Sequence, residues 1–225
     1  SDSSLSYISS DIEVIHLDHN YGFSEGYNKG IRKCISNNDE YLALLNYDTI
    51  VDQKFLGSIS KNIKNEGKNY IYGVKILYHN NPNLIWYAGG KVDLPKGLIS
   101  HVNIRQHNKD KENSLTDYIT GCCMIIHKDI FFKLNGFDKR FFMYNEDVDL
   151  CLRANGIGVK CLYLSDPLIL HKVSLSVVGN YSIKKISMKI KSSFQLYKKH
   201  YPIYKALVFF GMYVIRSTMS SIFQY

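Results

Sequence analysis

The run Tyr41–Leu45 (YLALL) is apolar over the length of one strand and then stops at the polar stretch 46–52 (NYDTIVD). A continuous apolar run of that length reads as a strand covered on both faces, the pattern of a sheet with helices on each side. The polar residues then stand at the strand's carboxyl end, where open α/β sheets gather their ligands. That placement makes Asp48 and Asp52 candidates for chemistry. Asp and Asn also open turns through local hydrogen bonds, so Asp48 taken alone reads equally well as a turn residue.

The flanking sequence fits the same architecture. Residues 12–17, 70–77, 84–92, 118–127 and 159–164 read as strands. Residues 24–35, 55–63, 128–134 and 145–154 read as helices, with Ser24 as an N-cap. Asp149 and Arg153 form an i,i+4 pair on the last of these helices. Alternating strands and helices predict an α/β domain with a largely parallel sheet. The 225 residues suffice for one substantial domain and an appendage.

The net charge of +8 is concentrated at one end. No Asp or Glu follows Asp166, whereas residues 167–225 carry nine Lys or Arg. The preceding residues hold 19 basic against 20 acidic side chains, a net of −1. The sequence therefore divides into a body, residues 1–178, and a basic amphipathic helical tail, residues 179–225. Such a tail implies an anionic partner, a membrane surface or a nucleic acid. No nucleic-acid recognition motif is present, so no nucleic acid is expected. The apolar run 206–215 would be about 15 Å long as a helix against a hydrocarbon layer of about 30 Å, too short to span. It reads either as a helix lying in the interface of an anionic leaflet or as an ordinary C-terminal helix packed on the body.

The five cysteines are odd in number and contain no C-x-x-C, which predicts reduced thiols in a cytosolic compartment. The opening residues SDSSLSYISSD have no apolar signal core. The expected location is cytoplasmic, on the inner face of the cell membrane if the tail binds lipid.

A second polar cluster lies in residues 141–153 (FFMYNEDVDLCLR), where Glu146, Asp147 and Asp149 follow Phe141, Phe142 and Tyr144. Acids in a helix's first turn favour its dipole, which accounts for one or two of the three. The aromatic run before them adds a reason for the others. A carboxylate beside aromatic surface has less water around it, so its basicity rises, which suits a general base.

Five stretches in order then carry a family resemblance: NYGFSEGYNKGI at 20–31, LLNYDTIVD at 44–52, YAGGKVD at 87–93, DYITGCCMIIHKDIFFKLNGFDKRFFMYNEDVDLCLR at 117–153, and His171. The chain resembles family 2 glycosyltransferases of the GT-A fold, and among them bacterial rhamnosyltransferases that build surface polysaccharide. The resemblance implies a Rossmann-like mixed sheet flanked by helices. It implies an inverting transfer from a nucleotide-diphosphate sugar, with rhamnose as the guess, to a saccharide or lipid-linked saccharide acceptor. By analogy Asp48 would bind Mg²⁺ or Mn²⁺ at the donor diphosphate, with His171 as a further ligand. Asn46 stands at the first position of the family's Asp-x-Asp pattern and removes one negative charge. One Asp is tolerable, because a hard cation keeps waters and phosphate oxygens.

The same resemblance makes Asp147 the catalytic base and lets Glu146 orient the acceptor, with helix capping as the alternative for Asp147. Gly121 and Cys122 match a small-residue turn beside the donor sugar, and Gly89 and Gly90 a turn lining the donor pocket. Asn20 and Asn28 fall in the first matching stretch and are assigned to the donor side. Trp86 reads as a core Trp or a sugar-stacking ring, and Arg153 as the partner of Asp149 or of a phosphate. The family's opening strand–helix unit has no counterpart here, so an N-terminally truncated domain is expected, with Asp2 as a remnant of the nucleotide side. A non-catalytic fragment acting as a carbohydrate-binding or assembly subunit is the alternative. No G-x-x-x-x-G-K-[ST] loop is present to support phosphoryl transfer.

Overall fold

The structure is a computed structural model that describes residues 12–109, 112–172 and 183–222. Asp2 and the body–tail boundary at 178/179 lie outside the described residues. The elements run α1 (Gly22–Cys34), β1 (Tyr41–Leu45), β2 (Thr49–Val51), α2 (Phe55–Glu66), β3 (Tyr70–Tyr78) and β4 (Asn81–Tyr87). There follow β5 (Gly90–Asp93), a 3-10 turn (Leu94–Lys96), β6 (Leu98–His101), β7 (Ser114–Thr116), β8 (Cys123–His127) and α3 (Lys128–Lys133). The chain closes with α4 (Glu146–Gly156), β9 (Lys160–His171), α5 (Ile183–His200) and α6 (Ile203–Ile222).

The main sheet has seven strands in the order β1-β8-β3-β9-β2, with β4 paired to β3 and β7 to β9. Its core strand β3 is buried along almost its whole length, including Ile71, Tyr72, Val74 and Ile76. Only β3 and β9 run parallel; β1–β8, β3–β8, β3–β4, β2–β9 and β7–β9 are antiparallel. The largely parallel sheet expected from strand–helix alternation is thus corrected to a mixed one. Residues 79–122 contain β4 to β7 rather than a crossover helix, and they return the chain to β8 from the opposite end. Alternation along the sequence carries no information on that direction.

Three local expectations also change. Residues 12–17 form no strand, because a strand needs a partner for its backbone groups and none among the described residues supplies one. The strand β1 is not covered on both faces: Leu42 and Leu44 are buried while Ala43 is exposed, since β1 forms an edge of the sheet. Helix α1 starts two residues before Ser24, which is buried inside it. Its first amide groups are satisfied instead by Asn20 Oδ1, which accepts from Gly22 N at 2.9 Å, and by Phe142 O, which accepts from Phe23 N at 2.7 Å.

Where the sequence predicts a helical tail, the described residues form two helices, α5 and α6. They pack on the body: Leu196, Tyr197 and Ala206 are fully buried in the same cluster as the sheet residues. Gly97 (φ +66°) follows the 3-10 turn, and a Cβ there would press on the α6 backbone at Tyr213, 2.5 Å from its nitrogen. A glycine is required at that crossing for both conformation and space.

Candidate active site

Antiparallel pairing of β1 with β8 assembles the first half of the site. Leu45 at the carboxyl end of β1 faces Cys123 at the start of β8. The stretch 46–48 therefore emerges beside Gly121 and Cys122, and Asn46 N donates to Cys122 O at 3.0 Å. The short β2–β9 ladder assembles the second half. Thr49 pairs with His171, and Lys172 N donates to Asp48 O at 2.8 Å. His171 Nε2 thereby stands 3.2 Å from Asp48 Oδ1. Burial holds the His171 imidazole below its ordinary range, although the Asp48 carboxylate pulls in the other direction.

Asp147 sits in the first turn of α4, and its carboxylate is fixed from two sides. Gly121 N donates to Oδ2 at 2.9 Å and Val148 N to Oδ1 at 2.8 Å. The Gly121 position admits no side chain, because a Cβ there would stand 2.7 Å from the Phe23 ring. Phe23 in turn is held by Phe142 through the backbone bond that starts α1. The stretch 20–31 thus supports the site from below. Asn20 is exposed and fixes the helix start.

Two consecutive left-handed residues, Tyr144 (φ 74°) and Asn145 (φ 62°), lead into α4. They are held by α5: Asn145 Nδ2 donates to Ser193 Oγ at 3.1 Å, and Ser192 Oγ donates to Tyr144 O. Left-handed conformations at non-glycine residues persist only where surrounding contacts enforce them. Here they turn Glu146 and Asp147 toward one cavity of about 580 Å³. Burial raises the pKa of both acids above the ordinary carboxylate range. Their mutual repulsion adds to the rise at Glu146, while the two amide donors oppose it at Asp147. Glu146 Oε2 is buried and has no hydrogen-bond partner.

The same cavity is lined by Asn46, Gly121, Cys122 and His171, whereas Asp48 is not among its lining residues. Asp48 reaches it through His171. The Cys122 thiol lies within the field of both Asp48 and Asp147; burial first, then these charges, push its pKa upward. Trp86 is half-buried on the cavity wall, with its ring 4.5 Å from that of His171 and 4.6 Å from that of His101.

Five predicted donor-side residues do not line the cavity: Asn20, which fixes the start of α1, Asp48, which stands behind His171, and Asn28, Gly89 and Gly90. Asn28 is buried and clamps the Phe137 backbone, donating from Nδ2 to Phe137 O at 2.8 Å and accepting at Oδ1 from Phe137 N at 3.0 Å. With its amide fully engaged it does not line the acid cavity. Gly89 and Gly90 do not line it either. They give room to Thr116 and Tyr118: a Cβ on Gly89 would stand 2.9 Å from Thr116 Oγ1, and one on Gly90 would fall inside the Tyr118 ring. Tyr118 itself does face the cavity.

The sequence reading missed His101, Lys189, Ser193 and Tyr213, all on the cavity wall. Burial pushes the His101 imidazole down to about 4, so it is neutral, and its Nδ1 lies 3.0 Å from Trp86 O. No local pattern marks these residues. Lys189, Ser193 and Tyr213 arrive from α5 and α6, and only helix packing brings them there. Arg153 goes to the protein interior: its Nε donates to Asp149 at 2.8 Å and its terminal nitrogens to Leu134 O and Gly136 O.

Among the described residues no cluster of three or more His, Cys, Asp or Glu could hold a metal ion. Asp48 and His171 form an oxygen–nitrogen pair, and His171 Nδ1 has no partner. Such a pair fits a divalent cation that takes its remaining ligands from phosphate and water.

Comparison with known proteins places this arrangement. A sequence profile described as glycosyl transferase family 2 matches residues 3–134. The rhamnosyltransferase WbbL of Escherichia coli K12 is 29% identical over 71% of this chain and 61% of its own length. The low-salt glycan biosynthesis hexosyltransferase Agl10 of Haloferax volcanii is 28% identical over 64% of this chain and 46% of its own. The N-acetylglucosaminyl-diphospho-decaprenol L-rhamnosyltransferase of Mycobacterium tuberculosis H37Rv is 33% identical over 30% of this chain and 22% of its own. The chain thus spans about half the length of the first two relatives. In structure it is similar to GalNAc-T7, solved with UDP, GalNAc and Mn²⁺, at a TM-score of 0.57 and 16% identity over 71% of this chain and 31% of that one. That likeness supports the GT-A fold.

Proposed function

Because this chain belongs to glycosyl transferase family 2, we propose that it moves a sugar, rhamnose by preference, from a nucleotide-diphosphate donor to a saccharide or lipid-linked saccharide, with inversion. The observation that carries the reading is one cavity lined by Asp147, Gly121 and His171, with Asp48 behind His171 at 3.2 Å. The printed activities of the relatives supply the sugar and the acceptor class.

In this reading the acceptor hydroxyl lies against Asp147, whose carboxylate takes its proton as the oxygen attacks the anomeric carbon. The bond from that carbon to the diphosphate oxygen breaks on the opposite face, and the nucleoside diphosphate leaves with the electron pair. Gly121 N and Val148 N hold the base in place, which fixes its approach to one hydroxyl. Burial raises its basicity. Glu146, buried beside it, orients the acceptor through the oxygen that has no protein partner. Asp48 and His171 would hold Mg²⁺ or Mn²⁺; when bound, such a cation supplies charge neutralisation at the donor diphosphate. Trp86 and Tyr118 offer flat apolar walls to the sugar rings.

The test is a donor screen on the full chain with thymidine- and uridine-diphosphate sugars, following release of the nucleoside diphosphate. The expected result is acceptor-dependent release from one donor, with an inverted anomeric product by NMR. Turnover by Asp147→Asn at the wild-type rate would overturn the assignment of the base, and product with retained configuration would overturn the displacement.

A further inference from the structure

Helix α6 is apolar on two opposite faces, and the body covers one of them. Ala206, Phe209, Phe210 and Tyr213, at i, i+3, i+4 and i+7, pack inward on the core. Tyr204, Leu207, Val208, Met212 and Ile215, at i, i+3, i+4, i+8 and i+11, face outward with exposures of 64, 56, 64, 47 and 56%. Single exposed apolar residues are ordinary on protein surfaces, whereas a continuous helical stripe marks a contact. The stripe is about 16 Å long. No helix among the described residues is long and apolar enough to cross a membrane.

We propose that this stripe docks in the plane of a lipid surface carrying anionic headgroups. Charge selects that occupant. Residues 167–225 hold nine basic and no acidic side chains, and the exposed Lys205 and Arg216 stand at the two ends of the stripe. Asp93 of the body is the acid that acts on Arg216; no acid interrupts the stripe itself. An apolar face bounded by cations is the pattern of a helix lying at the boundary between acyl chains and anionic headgroups. A second copy of the chain fits worse, because an isologous antiparallel contact through this face would bring the Lys205 end of one copy to the Arg216 end of the other, cation toward cation. Helix α5 contributes exposed Ile183, Ile186 and Ile190, again at i, i+3 and i+7.

The inference does not depend on the transferase reading, yet it bears on the cavity. Tyr213 of α6 and Lys189 and Ser193 of α5 line the acid cavity. Lys189 is the single Lys or Arg among its described lining residues. Tyr213 lies on the face of α6 opposite the stripe, so docking through α6 would set the cavity about one helix diameter, ~10 Å, from the lipid surface.

Flotation of the full chain with vesicles tests the proposal without any assay of turnover. Vesicles of phosphatidylcholine alone are compared with vesicles containing phosphatidylglycerol, at low and high salt. The chain is expected to float with the anionic vesicles and to be partly released by salt. Exchange of Leu207, Val208 and Ile215 for Ser should lower partitioning by at least about tenfold at either salt. Lys205→Glu with Arg216→Glu should remove the preference for anionic lipid. Circular dichroism melting controls for folding, and Val208→Glu alone serves if the triple variant unfolds. Three results would overturn the proposal: wild-type protein left behind by both vesicle types, stripe variants that bind as wild type, or a wild-type dimer in sedimentation that the stripe variants convert to monomer.

Discussion

Asp147 and Asp149 lie two residues apart in the first turn of one helix and meet opposite fates. Asp147 faces the cavity with two backbone amides and no cation, and burial raises its pKa. Asp149 is fully buried on the other side of the helix. There Arg153 Nε at 2.8 Å, Lys199 Nζ at 2.8 Å and His200 Nε2 at 2.9 Å surround it. Burial would raise Asp149 as well, but the His200, Arg153 and Lys199 contacts outweigh it and hold it below the ordinary value. The helix dipole serves both residues alike and cannot separate them. What separates them is α5, which delivers two of the three partners, Lys199 and His200, to one side of α4 only. The lesson is a division of labour: one acid ties the helix to α5, while its neighbour, the proposed base, faces the cavity without a cation.

The largest effect should come from removing the reactive side. Asp147→Asn is expected to lower kcat by about 10²–10⁴-fold. Donor affinity by calorimetry and the melting temperature should stay near wild type. Removing the anchor should do the reverse. Asp149→Ala leaves Arg153, Lys199 and His200 without their shared carboxylate, and the expected loss is about 3–5 kcal/mol of unfolding free energy in urea titration.

A third prediction separates the pair by pH. Asp149 has a folded pKa below its ordinary 3.8, so its stabilisation is present above that value and lost as pH falls below it. Glu146 has a folded pKa above its ordinary 4.5, so its contribution is present below that value and lost as pH rises through the folded one. Glu146→Gln should therefore stabilise the protein by about 1 kcal/mol or more at neutral pH. That gain should vanish in melts below pH 4.5. The smallest effect expected is kinetic. The acid limb of kcat/KM should lie above the ordinary carboxylate range in the wild type. Glu146→Gln should move it down by up to about one pH unit, because one of the two repelling charges is gone.

Much of the site could be read from residue order. Asp48 after an apolar strand and the acids opening α4 stand at the strand end and helix start that local signatures mark, whereas Gly121, read inside a strand over 118–127, lies in the turn before β8. Asn28 could not be read: a buried amide clamping the backbone of Phe137, 109 positions away, looks in sequence like any polar helix residue. Gly89 and Gly90 mark a turn in both views, but the rings and hydroxyl they make room for come from β7 and the segment after it. The sheet's direction was also hidden, since an antiparallel return and a parallel crossover leave the same apolar pattern in each strand.

By itself, the sequence determined the four helices and the strands β1, β3 and β9 of the body, where the carboxylates stand along the chain, and that all the excess positive charge lies after Asp166. The tertiary structure alone decided that His171 meets Asp48, that Asp149 is ion-paired while Asp147 faces the cavity without a cation, and that the tail walls the cavity while leaving one apolar stripe of α6 uncovered. The physical reason is range. Periodicity and capping report burial and hydrogen bonding within a turn or a strand, whereas a side chain's charge state and role are set by the groups that packing brings against it from distant parts of the chain.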